Sequence, residues 1–397
     1  MKYVIVLPDG ATDEKLPQLG GKTPLAAART PNMDWVASQG QLGRSVTVPE
    51  GFTPGTDVGT LSVFGYDPHR YYSGRAPIEA AAKGIQARPD QMIFRCNFVN
   101  ITDGKMTDFT AGHIDQPDAN GLIAALQEAM KGEGCEFHAG VSYRNLMLLS
   151  DAASMKLKCQ PPHDIPDQPV AGYWPKGSGE ERVAKLMKQA AQILKDHPIN
   201  QKRVAEGHLP ATNIWLWGQG QPVPFETFQQ KYGLTGACIT AVDILRGMAR
   251  LLGFELIEVK GATGYIDTDY DAKGRAAVAA LDRHDLVVVH VEAADEAGHL
   301  GDAKEKVKAL ERIDEAVVGP LLKKLQSYPQ WRILVAPDHP TPASTKAHSS
   351  VPPNFAFAGT GIPINGKGAR RFTEDDADAT GLWFKQGHEM MAAFLKR

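Results

Sequence analysis

Three unbroken runs of aliphatic and β-branched residues, each followed closely by aspartate, constrain this chain more than any other feature. They are YVIVLPDG (3–10), DLVVVHVEAADEAGH (285–299) and RILVAPDHP (332–340). A strand solvated on one face alternates apolar and polar residues, whereas a continuous apolar run belongs to a strand covered on both faces, as in a parallel sheet. Helix-patterned segments lie between such runs, near 179–195, 237–252, 274–283 and 302–326. In the last, Val307, Leu310, Ile313, Val317 and Leu321 recur at helical spacing with charge on the opposite face. This alternation predicts an α/β fold, a mostly parallel sheet sandwiched by helices, with ligands gathered at the carboxyl ends of the strands.

Residues 92–160 have a different texture. MIFRCNFVNI, KMTDFTA, CEFHAGVSYRNLMLL and SMKLKC read as short strands around one helix near 119–131, and the Pro-rich stretch 159–179 reads as an exit linker. The expected organisation is therefore a discontinuous core, 1–85 and 206–397, interrupted by a smaller α+β cap at 86–205.

Composition narrows the function. A formal charge of −3 over 397 residues argues against nucleic acid or an anionic membrane as a main partner. Cys96, Cys135, Cys159 and Cys238 are far apart and form no C-x-x-C pair, so neither a disulfide framework nor a thiolate zinc site is indicated. The first apolar run is too short for a signal peptide or a membrane span. These features together predict a cytoplasmic enzyme with a small-molecule partner.

The chemistry gathers at the strand ends. Asp9 follows the first run; Asp295 and His299 follow the second, spaced i, i+4; Asp338 and His339 follow the third, with His348 nine residues beyond His339. An i, i+4 pair on a helix points both side chains the same way, as one metal ion requires of two ligands. Carboxylate with imidazole suits Mn²⁺, Zn²⁺ or Co²⁺ better than Ca²⁺. A lone strand-end Asp commonly caps a turn, and a D-x-x-x-H spacing alone recurs by chance. The sharing of one rim by all three strand ends gives the set its weight. Within GFTPGTDVGTLSVFGYDP (51–68), Thr56 sits between glycines at the start of a helix-compatible run, where an N-cap is the ordinary role and presentation of a nucleophile the chemical one. With Thr56 as a further oxygen, the residues divide into ligand groups for two divalent ions about 3.5–4 Å apart. GGKTP (20–24) is no phosphate-binding P-loop, because Leu16 stands where its first glycine belongs.

Ordered motifs along almost the whole chain carry a family resemblance: LPDG, GTDVGTLSVFGYDP, YYSGRAPIEAAAKGI, GVSYRNL, NIWLWGQG, GATGYIDTDYDAKG, HVEAADEAGHLGD and DHPTPASTKAH. The sequence resembles the archaeal-type cofactor-independent phosphoglycerate mutases of the alkaline phosphatase superfamily. That resemblance implies an alkaline-phosphatase-like core with a cap that excludes water. It also implies two divalent metal ions, Mn²⁺ the best match with Zn²⁺, Co²⁺ or Mg²⁺ as further choices, and no 2,3-bisphosphoglycerate. It assigns Asp295, His299 and His348 to one ion and Asp9, Asp338, His339 and the nucleophile Thr56 to the other. The implied glycolytic reaction interconverts 2- and 3-phosphoglycerate through a phosphothreonine. A homoserine-kinase-like phosphotransferase and a phosphomonoester hydrolase are the alternatives on the same scaffold. Arg75, Arg144, His113 and Arg246 are the implied substrate contacts. The chain departs from the family pattern at Thr56, serine in most relatives, and at Ala294, usually proline.

Overall fold

The computed structural model describes residues 1–366 and 370–396. Contacts divide the chain into two units, Met1–Tyr72 with Phe225–Arg397, and Ser73–Pro224. In chain order the strands are β1 (Lys2–Pro8), β2 (Gly40–Ser45), β3 (Met92–Thr102), β4 (Lys105–Asp108), β5 (Cys135–Val141), β6 (Arg144–Leu149), β7 (Lys156–Lys158), β8 (Lys176–Ser178), β9 (Asn213–Gly220), β10 (Gly236–Ile239), β11 (Glu255–Leu256), β12 (Leu286–Val291), β13 (Trp331–Val335), β14 (Asn354–Gly359) and β15 (Trp383–Phe384).

The first unit is built on an eight-stranded sheet of order β11-β10-β12-β1-β13-β14-β2-β15. β1 is central and parallel to both neighbours, with Leu7 opposite His290 on β12 and Val6 opposite Val335 on β13. Only the pairings of β14 with β13 and with β2 are antiparallel. The three apolar runs are thus adjacent strands, as their two-sided burial demands: Val4, Val6, Val287, Val289, Ile333 and Val335 are all fully buried in one core cluster. Leu310, Ile313, Val317 and Leu321 join the same cluster from the helical segment Ala303–Leu325, so the expected apolar stripe does face the sheet.

The helix expected over 237–252 is shorter. Gly236–Ile239 forms strand β10, and the helix starts only at Asp243. Ala237, Cys238 and Ile239 are buried, and a run this short carries no periodicity that separates strand from helix.

The second unit is α+β. β3 pairs antiparallel with β6, with β9 and with β4, and β5 extends the sheet beyond β6. Helices Gln116–Ala129 and Glu180–Lys195 bury Leu122, Leu126, Leu186 and Ala190 with Phe94, Cys96 and Phe98 of one sheet face. Helix Arg75–Ala82 puts Ala76 and Ala80 against Ile93, Leu146 and Leu148 of the other face. This packing ties 73–85 and 206–224 to the inserted unit, so the contact division lies outside the expected limits of 86 and 205, and the Pro-rich stretch 159–179 lies inside the unit. The four cysteines form no disulfide. No helix among the described residues is long and apolar enough to cross a membrane.

Candidate functional site

Within the first unit the carboxyl ends of β12, β1 and β13 deliver their acids to one place. Asp9 follows β1 directly. Asp295 and His299 stand on helix Ala293–Leu300, which begins just after β12, and Asp338 and His339 lie three and four residues past β13. Thr56 is the first residue of helix Thr56–Val63, with Gly55 as its cap position, so the threonine is not itself the N-cap. Two glycines allow the approach of these segments. A Cβ at Gly59 would collide with the Asp338 carbonyl, and one at Gly10, where φ is +61°, would lie 2.7 Å from Asp295 Cα. Ser62, on the same helix, is buried and donates to Thr47 O at 2.6 Å, away from this cluster.

The donors fall into two sets. Ligand atoms of Asp295, His299 and His348 lie within 4.8 Å of one another, and so do those of Asp9, Asp338 and His339. In the first set His299 Nε2 is 3.2 Å from Asp295 Oδ2, His348 Nε2 is 3.5 Å from Asp295 Oδ1, and the two Nε2 atoms are 2.9 Å apart. Each imidazole is turned by a backbone carbonyl that can only accept: Nδ1–H of His299 donates to Lys346 O at 3.0 Å and Nδ1–H of His348 to Pro54 O at 3.3 Å. Both Nε2 atoms then face the same space, where a shared cation would replace the protons that otherwise bond them to Asp295. In the second set His339 Nε2 lies 3.4 Å from Asp9 Oδ1 and 3.5 Å from Asp338 Oδ2. Thr56 Oγ1 is 3.3 Å from His339 Nε2 and 3.4 Å from Asp9 Oδ2.

The buried charges fit a divalent cation. Asp9, Asp338 and His339 have no exposed surface, and Oδ1 of Asp9 and Oδ1 of Asp338 accept no hydrogen bond among the described residues. Burial, then the neighbouring Asp338, Glu292 and Asp295 carboxylates, push the Asp9 carboxyl well above its usual range. Burial would do the same to Asp295, but bonds from His299 and His348 overturn it and hold that carboxyl well below the usual range. The bond to Asp295 raises His299 to about 9, whereas burial lowers His339. A cation between the sets satisfies the orphaned oxygens and offsets the carboxylate repulsion at once.

The structure adds residues that motif reading missed. His290, inside β12, is fully buried and held near pKa 3 by that burial, so its ring is neutral. Its Nε2 lies 2.9 Å from Asp9 Oδ2 and its Nδ1 3.1 Å from Thr240 Oγ1, which orients the Asp9 carboxylate. The signal was present as an imidazole interrupting the run LVVVHV. Glu292 forms a further close set with Asp9 and His290, and Glu296 with Glu292 and Asp295. Thr341 joins the two main sets: its hydroxyl bonds Asp295 Oδ1 and stands 3.3 Å from His339 Nδ1. The loop carrying Thr341 is pinned by the buried pair Lys306–Asp13, whose Nζ also donates to Thr341 O at 2.8 Å.

Lys273 lies beneath β12, its Nζ donating to His290 O at 3.2 Å and Thr263 O at 3.3 Å. Burial lowers its pKa from 10.5 to about 8. Between these values the unfolded chain binds a proton that the folded one does not, so this group makes stability rise with pH across that window. The stability deficit of wild type relative to Lys273→Met is therefore expected to shrink by about 2 kcal/mol between about pH 7.5 and about pH 10, read by urea unfolding. A deficit that stays constant with pH would contradict it.

The four expected substrate contacts fall in both units. Arg246, in the first unit, stands on helix Asp243–Leu251 and commits both Nη atoms to Glu258, with Nη1 at 3.1 Å from Oε2. Arg75, Arg144 and His113 belong to the second unit. Arg75 Nε donates to Glu79 at 2.9 Å, the Arg144 guanidinium lies 4.8 Å from the Tyr143 ring centre, and the His113 ring meets Tyr143 edge-on at 6.4 Å.

Comparison with known proteins gives a consistent set of relatives. A family model described as 2,3-bisphosphoglycerate-independent phosphoglycerate mutase matches residues 37–200. The probable 2,3-bisphosphoglycerate-independent phosphoglycerate mutase of Geobacter sulfurreducens is 44% identical over 401 residues, covering 100% of both chains. A second such mutase, from Methanothermobacter thermautotrophicus, is 46% identical and covers 100% of this chain and 97% of its own. Among solved structures, a cofactor-independent phosphoglycerate mutase from Thermoplasma acidophilum is 26% identical with a TM-score of 0.71, covering 100% of this chain and 99% of that one. A protein from Pyrococcus horikoshii is 28% identical with a TM-score of 0.82, covering 99% and 96% respectively.

Proposed function

The chain belongs to the 2,3-bisphosphoglycerate-independent phosphoglycerate mutase family, and from that premise we propose that it interconverts 2- and 3-phosphoglycerate through a phosphothreonine formed on Thr56. The observation that carries this reading is the placement of Thr56 Oγ1 3.3 Å from His339 Nε2 and 3.4 Å from Asp9 Oδ2, at the edge of a donor set with orphaned carboxylate oxygens. Asp295, His299 and His348 would hold one divalent ion, and Asp9, Asp338 and His339, with Thr56 beside them, the other. When bound, the pair supplies Lewis-acid stabilisation to a phosphoryl group and favours ionisation of a hydroxyl.

The protein's own groups account for the rest. Thr56 Oγ1 loses its proton and forms the new O–P bond, while the P–O bond to the substrate breaks with its electron pair left on the glycerate oxygen, which takes up a proton. The glycerate then presents its other hydroxyl, the Thr56 O–P bond breaks, and Oγ1 is reprotonated. Protons and phosphoryl group balance without water or a second substrate. His290 holds the Asp9 carboxylate, and Thr341 ties Asp295 to His339, so the donors are oriented before substrate arrives.

The test is ³¹P NMR of the purified protein supplied with Mn²⁺ and 3-phosphoglycerate, with the ion chelated before spectra are taken. The expected result is 2-phosphoglycerate without free phosphate. Free phosphate as the sole product would replace the mutase reading with a hydrolase, and unchanged substrate would remove it.

A further inference from the structure

Thr341 stands where three ligand-bearing segments of the first unit meet. It has no exposed surface, and its backbone and hydroxyl are all engaged. Its N–H donates to Gly10 O at 3.3 Å, one residue past Asp9. Its carbonyl accepts from the buried Lys306 Nζ at 2.8 Å, and Lys306 is itself held by Asp13 Oδ2 at 2.7 Å. Asp13 Oδ2 also takes the Ala343 N–H at 3.2 Å, and Glu374 Oε1 takes the Asp13 N–H at 3.1 Å, so the segment is fixed from behind by a buried ion pair and a second carboxylate. The Thr341 hydroxyl bonds Asp295 Oδ1 and lies 3.3 Å from His339 Nδ1. The neighbouring backbone is bare where it approaches. A Cβ at Gly10 would lie 2.7 Å from Thr341 Oγ1, and one at Gly298, on the helix that carries Asp295, would lie 2.9 Å from Thr341 Cγ2.

This placement is more than a loop requires. A loop threonine ordinarily turns its hydroxyl to backbone close by in sequence, whereas Thr341 turns it to Asp295, 46 positions away. Asp295 belongs to one donor set and His339 to the other, so a single oxygen touches a ligand of each. An ionised carboxylate only accepts, and the one hydroxyl proton therefore goes to Asp295. Toward His339 the same oxygen offers a lone pair, which is the partner that a ring bound to a cation through Nε2 needs for its Nδ1–H. Fixing the ring fixes the hydroxyl, and fixing the hydroxyl fixes the carboxylate. The ordering runs equally well from either end.

We propose that Thr341 is a positioning residue that links the two donor sets, so that a divalent ion at Asp295, His299 and His348 and a second at Asp9, Asp338 and His339 are taken up as a coupled pair. The inference rests on the two-ion reading given above. Ordering a ring, a hydroxyl and a carboxylate costs conformational entropy. The first ion to bind bears that cost for the shared groups, and the second finds its ligand already turned. Direct repulsion between the ions acts the other way, and the link offsets part of it. Coupling lowers the share of half-loaded protein when the ion is scarce. That matters to a reaction that needs both ions, because one of them alone leaves the phosphoryl group clamped on one side only.

The experiment measures stepwise Mn²⁺ binding to the full chain by equilibrium dialysis, with electron paramagnetic resonance separating singly from doubly loaded protein. Thr341→Val keeps the shape and loses the hydroxyl, whereas Thr341→Ser keeps the hydroxyl and loses the methyl group packed at Gly298. The ratio of the second association constant to the first is expected to fall at least about fivefold in Thr341→Val, the lower end of coupling between sites, and to stay within about twofold of wild type in Thr341→Ser. A residue that only fills space would show the reverse order. Thr341→Ala set against Thr341→Ser differs by the hydroxyl alone and gives the same contrast if the valine variant does not fold. An unchanged ratio in a folded variant without the hydroxyl, or an equal fall with and without it, would overturn the link. The two readings fail separately. A wild-type chain that holds two ions with a ratio indifferent to Thr341 disproves the link and keeps the two-ion site, whereas a wild-type chain that holds one ion disproves the two-ion site itself.

Discussion

Replacing Thr56 with alanine is expected to lower the interconversion of phosphoglycerates by about 10⁴-fold or more, because it removes the hydroxyl that stands beside both His339 and Asp9. Thr341 Oγ1 is committed to Asp295, and Thr60 Oγ1 is buried within the helix 3.5 Å from Asp338 Oδ2. Stability should change by under about 1 kcal/mol, since Thr56 is only partly buried and its closest polar contacts are long. Thr56→Ser keeps the nucleophilic oxygen and should retain activity within about tenfold of wild type. Initial rates of 2-phosphoglycerate formation, with intact-mass detection of a phosphorylated intermediate in wild type and in Thr56→Ser alone, check both statements. An alanine variant that still turns over at a tenth of the wild-type rate would show that the phosphoryl group does not pass through position 56.

Asp9→Asn is expected to move activity and stability in opposite directions. The change removes a charge that a cation needs at the second donor set, so activity should fall by about 10³-fold and one of the two divalent ions should be lost in equilibrium dialysis against Mn²⁺. In the chelated protein the same carboxylate is a liability: it is fully buried, faces Asp338, Glu292 and Asp295, and has a carboxyl pushed well above its ordinary value. A carboxylate with a raised folded pKa makes the native state bind the extra proton, so stability declines as pH climbs past the unfolded value, and it goes on declining until the folded carboxyl itself ionises. Asparagine carries no such charge and still offers an oxygen to His290 Nε2, so chelated Asp9→Asn should unfold at a higher urea concentration than chelated wild type, by roughly 1 kcal/mol or more. Lower stability of the chelated variant would mean that the carboxylate is stabilised as an anion there, contrary to the electrostatics of the site.

The legible part of the site was the part written in local spacing. Asp295 and His299 are one helical turn apart, and the turn is present, with the side chains 3.2 Å apart. Asp9 and Asp338 end apolar runs, and the pairing of β1 with β12 and β13 puts those ends side by side. The strand β10 was hidden by its length, and the hairpin within 135–149 was read as a single strand although the chain turns between Val141 and Arg144. His290 and Thr341 do not stand out in the sequence, because their contacts to Asp9 and Asp295 join residues more than forty positions apart.

By itself the sequence determined the α/β class, the three buried strands, the donors that follow them, and the family, since each depends on periodicity or on ordered local motifs that survive without a third dimension. Tertiary structure alone decided which oxygens are orphaned, which carboxyl is raised and which lowered, and which backbone carbonyls His299 and His348 face. Only packing revealed that Arg95, twenty residues from Arg75, shares a single glutamate with it. Those properties are set by desolvation and by distances between groups far apart along the chain. Sequence spacing carries no measure of either.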